Sequence, residues 1–256
     1  MPVYNQNEEL NLTLAAFTLQ DYLDFEIVII NDGGNQEVEK IIRKYSDRIE
    51  IKYTYQENRG RAIARNECLK NATGEIIIFC DADRIPSKNF ISEHAAILSN
   101  RKDIVTIGEK HEILTFYREN LNVGHRKVVN AIKRSPLLKE KIIDQNCIEL
   151  VKAEDILSCF EKVIDNISVG VSFDNNSEIF KKWGDDLKDF QFGWAVATTA
   201  NMGFNRTEFK ETFFDQIYHG WGMEDTDFSY QLYQNGCKFV YLPTISTTTS
   251  PKVWRR

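Results

Sequence analysis

Two aspartates, Asp81 and Asp83, close an apolar run in GEIIIFCDADRIP (74–86), with only Ala82 between them. In extended chain, residues i and i+2 face the same side, so both carboxylates can converge on one ligand. Two such groups repel unless a proton or a cation sits between them. Hard oxygen donors suit Mg²⁺ or Mn²⁺, ions that also hold substrate phosphates. A solvated loop at a strand end would place the same residues there, so the pair alone does not decide.

Two further groups bear on it. ENRGRAIARNECLKNATGE (57–75) places Arg59, Arg61 and Arg65 just before the run that delivers the aspartates. Arg61 and Arg65 are four apart, on one face of a predicted helix, and guanidinium suits phosphate oxygens; a solvated cationic face is the plain alternative. YHGWGMEDTDFSYQL (218–232) sets Trp221 between two glycines, then Glu224, Asp225 and Asp227 at a helical start. Acidic residues favour a helix's first turn for electrostatic reasons alone. A carboxylate there can also take a proton from a hydroxyl, and an indole face can stack on a sugar ring. Aspartyl-phosphate hydrolases need a Thr two residues beyond Asp83, where Ile85 stands.

The elements that must position these groups alternate. EIVII (26–30), EIKYTY (50–55), EIIIFC (75–80), IVTIG (104–108) and KFVYL (238–242) read as strands, and such unbroken apolar runs suit strands buried on both faces. Residues 7–20, 36–47 and 60–72 carry helical spacing, so the order predicts an α/β layer fold with right-handed crossovers. In open parallel sheets ligands bind beyond the carboxyl ends of the strands, where Asn5, Asn31–Asp32 and Asp81–Asp83 fall. Residues 109–195 read as a more helical insertion. Within them 147–167 is predicted as one amphipathic helix, and SFDNNSE (172–178) and KKWGDD (181–186) as loops.

The chain has 256 residues, 42% hydrophobic and 12% aromatic, enough for one large domain. A net charge of −6 excludes nucleic acid as an expected partner. Five scattered cysteines suit neither a disulfide framework nor a zinc site, and point to a reducing cytosol. No apolar run approaches the length of a membrane span, and no signal peptide is visible. The basic stretch 125–141 is either a solvated helix face or a peripheral contact with an anionic acceptor or membrane surface.

PVYN (2–5), EIVIINDGG (26–34), NRGRAIARN (58–66), ATGEIIIFCDAD (72–83), NMGF (201–204) and GWGMEDTDFSYQL (220–232) together resemble the family 2 glycosyltransferases of GT-A fold. The last block is also similar to a WGxED segment of galactosyltransferase-like and chondroitin-polymerase-like enzymes. The resemblance implies a Rossmann-like, mostly parallel sheet flanked by helices, a nucleotide-sugar half at 1–108 and an acceptor half with a helical insertion at 109–256. It implies an inverting transfer from a UDP-hexose or UDP-N-acetylhexosamine to a hydroxyl of a glycan, lipid-linked or peptide acceptor. Pro2, Val3, Tyr4 and Asp32 would recognise the base, with Arg61, Arg65 and Asp81 on the nucleotide side. Asp83 would ligate Mn²⁺ or Mg²⁺. Asn201, Trp221 and Gly222 would line the sugar and acceptor pocket, Glu224 would touch donor or acceptor, and Asp225 would be the base.

Three departures stand out. The acid pair expected after the second strand reads Asn31–Asp32. No His follows His219 to serve as a further metal ligand. The family's first strand normally runs several apolar residues before PVYN, whereas here only Met1 precedes it, and a strand so shortened would cost its neighbours ladder hydrogen bonds. The rival readings are an inactive nucleotide-sugar-binding module, for which the acidic 224–227 cluster has little use, and a nucleotidyltransferase, for which the N-terminal segment lacks a Gly-rich basic loop.

Overall fold

The computed structural model describes residues 1–118, 147–171, 176–207, 209, 212–219 and 222–249. In chain order the elements are β1 (Pro2–Val3), α1 (Asn7–Phe17), β2 (Glu26–Asp32), α2 (Glu37–Arg43), β3 (Glu50–Gln56), α3 (Arg61–Asn71), β4 (Ile76–Cys80), β5 (Arg84–Pro86) and α4 (Phe90–Leu98). There follow β6 (Ile104–Ile113), β7 (Phe116–Arg118), β8 (Cys147–Glu149), α5 (Ala153–Ile167), β9 (Ser168–Val171), α6 (Ser177–Trp183), α7 (Gly193–Val196), β10 (Asn201–Asn205), α8 (Glu224–Gln234) and β11 (Lys238–Thr249).

The architecture is α/β. β1, β2 and β3 form a parallel sheet in that order, with Val3 opposite Asn31 and Asp32 opposite Gln56. Alternation along β2 explains its burial on both faces. Ile27 and Ile29 pack into the core shared with α1 and α2, while Val28 and Ile30 pack against Ala64 and Cys68 of α3. A second sheet runs β4-β10-β6-β11-β5, with β9 added to β6. It is mixed: β10 is antiparallel to β4 and β6, and β11 is parallel to β6 but antiparallel to β5. A cleft of about 870 Å³ is lined by Met1, Val28, Cys68, Ile78 and Phe79 among others. At its end the Met1 amino group donates to the Val28 carbonyl at 2.9 Å.

Phe79, Phe204, Phe214 and Phe228 tie α8 to this second sheet. Phe214 and Phe228 stack at 4.2 Å between centroids, and Phe79 meets both edge-on. Such pairs add about 0.5–1.5 kcal/mol each beyond area burial. They hold the start of α8, and with it Glu224 and Asp225, against the sheet.

Three expectations are corrected. EIKYTY is β3, which pairs only with β2 among the described residues, and its side chains are half-buried or exposed rather than covered on both faces. The span 147–167 is divided. Cys147–Glu149 pair with β7, the Leu150 amide donates to the Thr115 carbonyl, and the helix begins only at Ala153, where Asp155 accepts from the Lys152 amide at 2.9 Å. Ser177–Trp183, read as parts of two loops, is helix α6.

Candidate active site

The second block builds a scaffold before any chemistry. Asp32 is buried, and its carboxylate accepts from Gln56 Nε2 at 2.6 Å, the Arg59 amide at 2.8 Å and the Gly60 amide at 3.0 Å. Asn31 Oδ1 accepts from the Gly34 amide at 2.8 Å. These bonds fix the turn from β2 and the entry to α3, where Gly60 takes φ +90, a conformation open to glycine. Beside them Pro2 is half-buried, Val3 is core and Tyr4 is exposed just beyond Val3.

α3 separates the two arginines that helical spacing put together. Arg61, at its first position, is exposed; Arg65, one turn on, is buried. The Arg65 guanidinium lies at the meeting of three carboxylates. Nη1 donates to Glu224 Oε1 at 2.9 Å and stands 3.2 Å from Asp225 Oδ1, and Nη2 reaches Asp81 Oδ1 at 3.4 Å. Its other side rests over the Phe214 ring, 5.5 Å from the centroid. Burial disfavours the charge on Arg65, but Asp225, Asp81 and Glu224 outweigh it and hold the group protonated.

Asp81 and Asp83 do not lie in extended chain. The segment turns, with the Arg84 amide donating to the Asp81 carbonyl at 3.1 Å, and the two carboxylates take different partners. Asp81 meets Arg65, whereas Asp83 Oδ2 accepts from Gln6 Nε2 at 3.1 Å. Among the described residues no three His, Cys, Asp or Glu side chains gather as a metal cluster.

Glu224 and Asp225 open α8 after Gly222 and Met223, whose φ angles of +104 and +72 swing the chain into the helix. Asp225 Oδ1 accepts from Thr199 Oγ1 at 2.9 Å. Burial pushes the Asp225 carboxyl above the usual aspartate range; Arg65 opposes this, and Asp81 and Glu224 add to it. Trp221 lies outside the described residues, as does the basic stretch 125–141.

Asn201 is buried, and both ends of its amide are hydrogen-bonded. Its Nδ2 donates to the Glu109 carbonyl at 3.1 Å, and its Oδ1 meets His94 Nε2 at 2.9 Å. His94 Nδ1 lies 2.6 Å from Thr106 Oγ1. An amide oxygen can only accept, so His94 carries its proton on Nε2 and accepts from Thr106 at Nδ1. Burial pushes its pKa down to about 4. Gly108 is required beside this relay, since a Cβ there would lie 2.0 Å from Asn201 Nδ2. Sequence reasoning missed Gln6, His94, Thr199 and Phe214. Asn66, inside the quoted NRGRAIARN block, is the one with a local signal; both ends of its amide bond the Phe214 backbone at 2.8 Å.

A family model, Glycosyl transferase family 2, matches residues 1–144, more than half of the chain. The chain belongs to that family. A Bacillus subtilis (strain 168) glycosyltransferase, YfnE, is 26% identical to this family 2 chain over 251 residues, covering 93% of it and 60% of the relative. Chondroitin synthase of Escherichia coli is 25% identical over 244 residues, covering 93% and 32%. Among solved structures, S. aureus TarS 1–349 in complex with UDP-GlcNAc matches with a TM-score of 0.65 at 16% identity, covering 99% of this chain and 58% of that one. Mannosyltransferase PcManGT from Pyrobaculum calidifontis, in complex with GDP-Man and Mn²⁺, matches at 0.61 and 15%, covering 99% and 56%. These likenesses show the shared GT-A fold. The family 2 chain spans at most 60% of the length of these relatives. None of its described helices is long and apolar enough to cross a membrane.

Proposed function

We propose that this family 2 chain transfers a sugar from a nucleotide-sugar donor, a UDP-hexose or UDP-N-acetylhexosamine, to a hydroxyl of a glycan, lipid-linked or peptide acceptor, with inversion at the anomeric carbon. The observation that carries the reading is the convergence on Arg65 of Asp81 from the DAD turn with Glu224 and Asp225 from the WGMED block. That convergence joins a donor-side acid to an acceptor-side acid in one place. The donor complexes of TarS and PcManGT support a nucleotide sugar as the ligand.

In this reading Asp225 is the general base. Its carboxylate accepts the acceptor's hydroxyl proton, the freed oxygen bonds to the anomeric carbon, and the bond to the diphosphate breaks. A carboxyl raised by burial is a stronger base than a solvated one, and Thr199 aims it. Arg65 holds Asp81, Glu224 and Asp225 in register rather than reaching for phosphate. Asp32 sets the loop beneath the nucleotide, and exposed Tyr4 offers its ring to the base. Trp221 and Gly222 border the acceptor.

Asp83 and Asp81 fit Mg²⁺ or Mn²⁺ in chemical type, as hard oxygen donors at a turn, with Gln6 orienting the Asp83 carboxylate as an outer partner. Such an ion, when bound, would stabilise negative charge on the departing diphosphate. The chain divides at about residue 108 into a donor half and an acceptor half. It works in the cytoplasm, with the 125–141 stretch as its contact to an anionic surface.

The test is transfer from a panel of UDP-sugars with Mn²⁺, alongside UDP binding. Asp225→Asn is expected to lower transfer by about 10²–10⁴-fold and spare UDP affinity. Equal loss of both would recast Asp225 as structural.

A further inference from the structure

Arg84 follows directly on the DAD turn and is 5% exposed. Buried guanidinium groups are normally paired. Arg84 is not: its Nε and Nη1 have no hydrogen-bond partner among the described residues. Arg65, equally buried nearby, has three carboxylates. The contrast asks what the second arginine is for.

The register of the second sheet says which way it faces. Arg84 lies opposite Thr249 on β11, which lies opposite Glu112 on β6; Pro86 lies opposite Thr247, which lies opposite Lys110. Residues opposite one another across a ladder share a face, and neighbours along a strand alternate. Ile85, between Arg84 and Pro86, is in the core under α1. Arg84 and Lys110 therefore share the other face. On that face buried Lys110 donates from Nζ to Thr198 Oγ1 at 3.3 Å, and the next residue, Thr199, holds Asp225. Arg84 thus stands on the side of the sheet that looks toward the acidic site. Glu112 shares that face.

We propose that Arg84 is an oxyanion receptor, taking a phosphate or a sugar carboxylate of the substrate on its open N–H groups. The proposal rests on the glycosyl-transfer reading for the identity of that substrate. A guanidinium is a fixed positive charge with directed donors, which suits either oxyanion. Buried guanidinium N–H groups with no partner among the described residues carry a desolvation penalty, and an entering anion relieves it, so the ligand's charge is recognised strongly.

Three variants, Arg84→Gln, Arg84→Lys and Arg84→Met, are compared with the full chain by calorimetry and thermal shift. If the source is the diphosphate, Arg84→Gln weakens UDP at least about 10-fold and leaves uridine unchanged, with partial rescue in Arg84→Lys. If the source is a carboxylate, UDP binds as before, but the preference for UDP-glucuronate over UDP-glucose collapses. Arg84→Met is expected to leave the ligand-free melting temperature unchanged or higher. Inorganic pyrophosphate and glucuronate alone separate this inference from the function: if the intact chain binds one of them through Arg84 but binds no nucleotide, the glycosyl-transfer reading fails and the receptor stands. A lower melting temperature in Arg84→Met with every ligand comparison unchanged would make Arg84 a structural residue and overturn the proposal.

Discussion

Arg65 and Glu224 are 159 residues apart in sequence and 2.9 Å apart in space. The same guanidinium nitrogen stands 3.2 Å from Asp225, and its neighbour reaches Asp81. One buried cation therefore holds acids from both halves of the chain. Removing one partner of a buried pair leaves an uncompensated charge and costs about 3–5 kcal/mol. Arg65→Gln is expected to lower stability by that order, read as a lower urea midpoint with unchanged slope. Arg65→Lys should lose less, since it keeps the charge but loses the two-sided geometry. A wild-type midpoint in Arg65→Gln would show that the carboxylates do not depend on it.

Asp225→Asn should reduce kcat by about 10²–10⁴-fold, the usual contribution of a general base. In the proposed role as base, Asp225 must be ionised to work. Because its pKa is raised, chiefly by burial, activity should fall with decreasing pH at a point above the ordinary aspartate range. A pH–rate profile whose acid limb sits at or below that range would remove Asp225 as the base.

His94 makes a prediction about stability alone. Burial holds its pKa at about 4 in the folded chain, against about 6.5 for a free imidazole. The folded state thus resists a proton that the unfolded chain accepts. The stabilisation is complete above pH 6.5 and is lost as pH falls toward 4, by up to about 3 kcal/mol. Melting temperature followed across that window should drop, and His94→Gln should flatten the drop. An equal slope in both proteins would assign the effect to other groups.

Metal dependence can be read from binding, without turnover. Mn²⁺ should strengthen UDP binding to the wild type, and Asp83→Asn should remove that enhancement. Gln6→Ala, which releases the Asp83 carboxylate, is expected to raise the Mn²⁺ requirement about 10-fold. If Asp83→Asn keeps the full Mn²⁺ effect, the ion is held elsewhere.

The fold was largely legible because it rests on local pattern. All five predicted strands and the helices at α1, α2 and α3 are present, since a β-branched apolar run or a helical period reports burial directly. β5, β8 and β9 escaped notice because strands of three or four residues carry too little pattern. Two judgements failed for tertiary reasons. EIKYTY resembles a buried strand, but at the end of its sheet its two faces are not covered as those of β2 are. Asp81–Ala82–Asp83 looks extended, but the chain must turn to enter β5.

For the site, the sequence by itself determined which residues carry charge: two aspartates after a strand, acids at a helix start, and arginines upstream. Composition and order suffice for that, because residue type sets chemistry. Only the tertiary structure decided how they are paired. Arg65 and Arg61 are equivalent by helical spacing, yet packing on Phe214 and against α8 buries one and leaves the other exposed. Asn201 reads as a pocket residue, yet His94 and the Glu109 carbonyl take its amide. Partners in such contacts lie on different elements, some of them more than 100 residues apart, and no local periodicity encodes which of them meet.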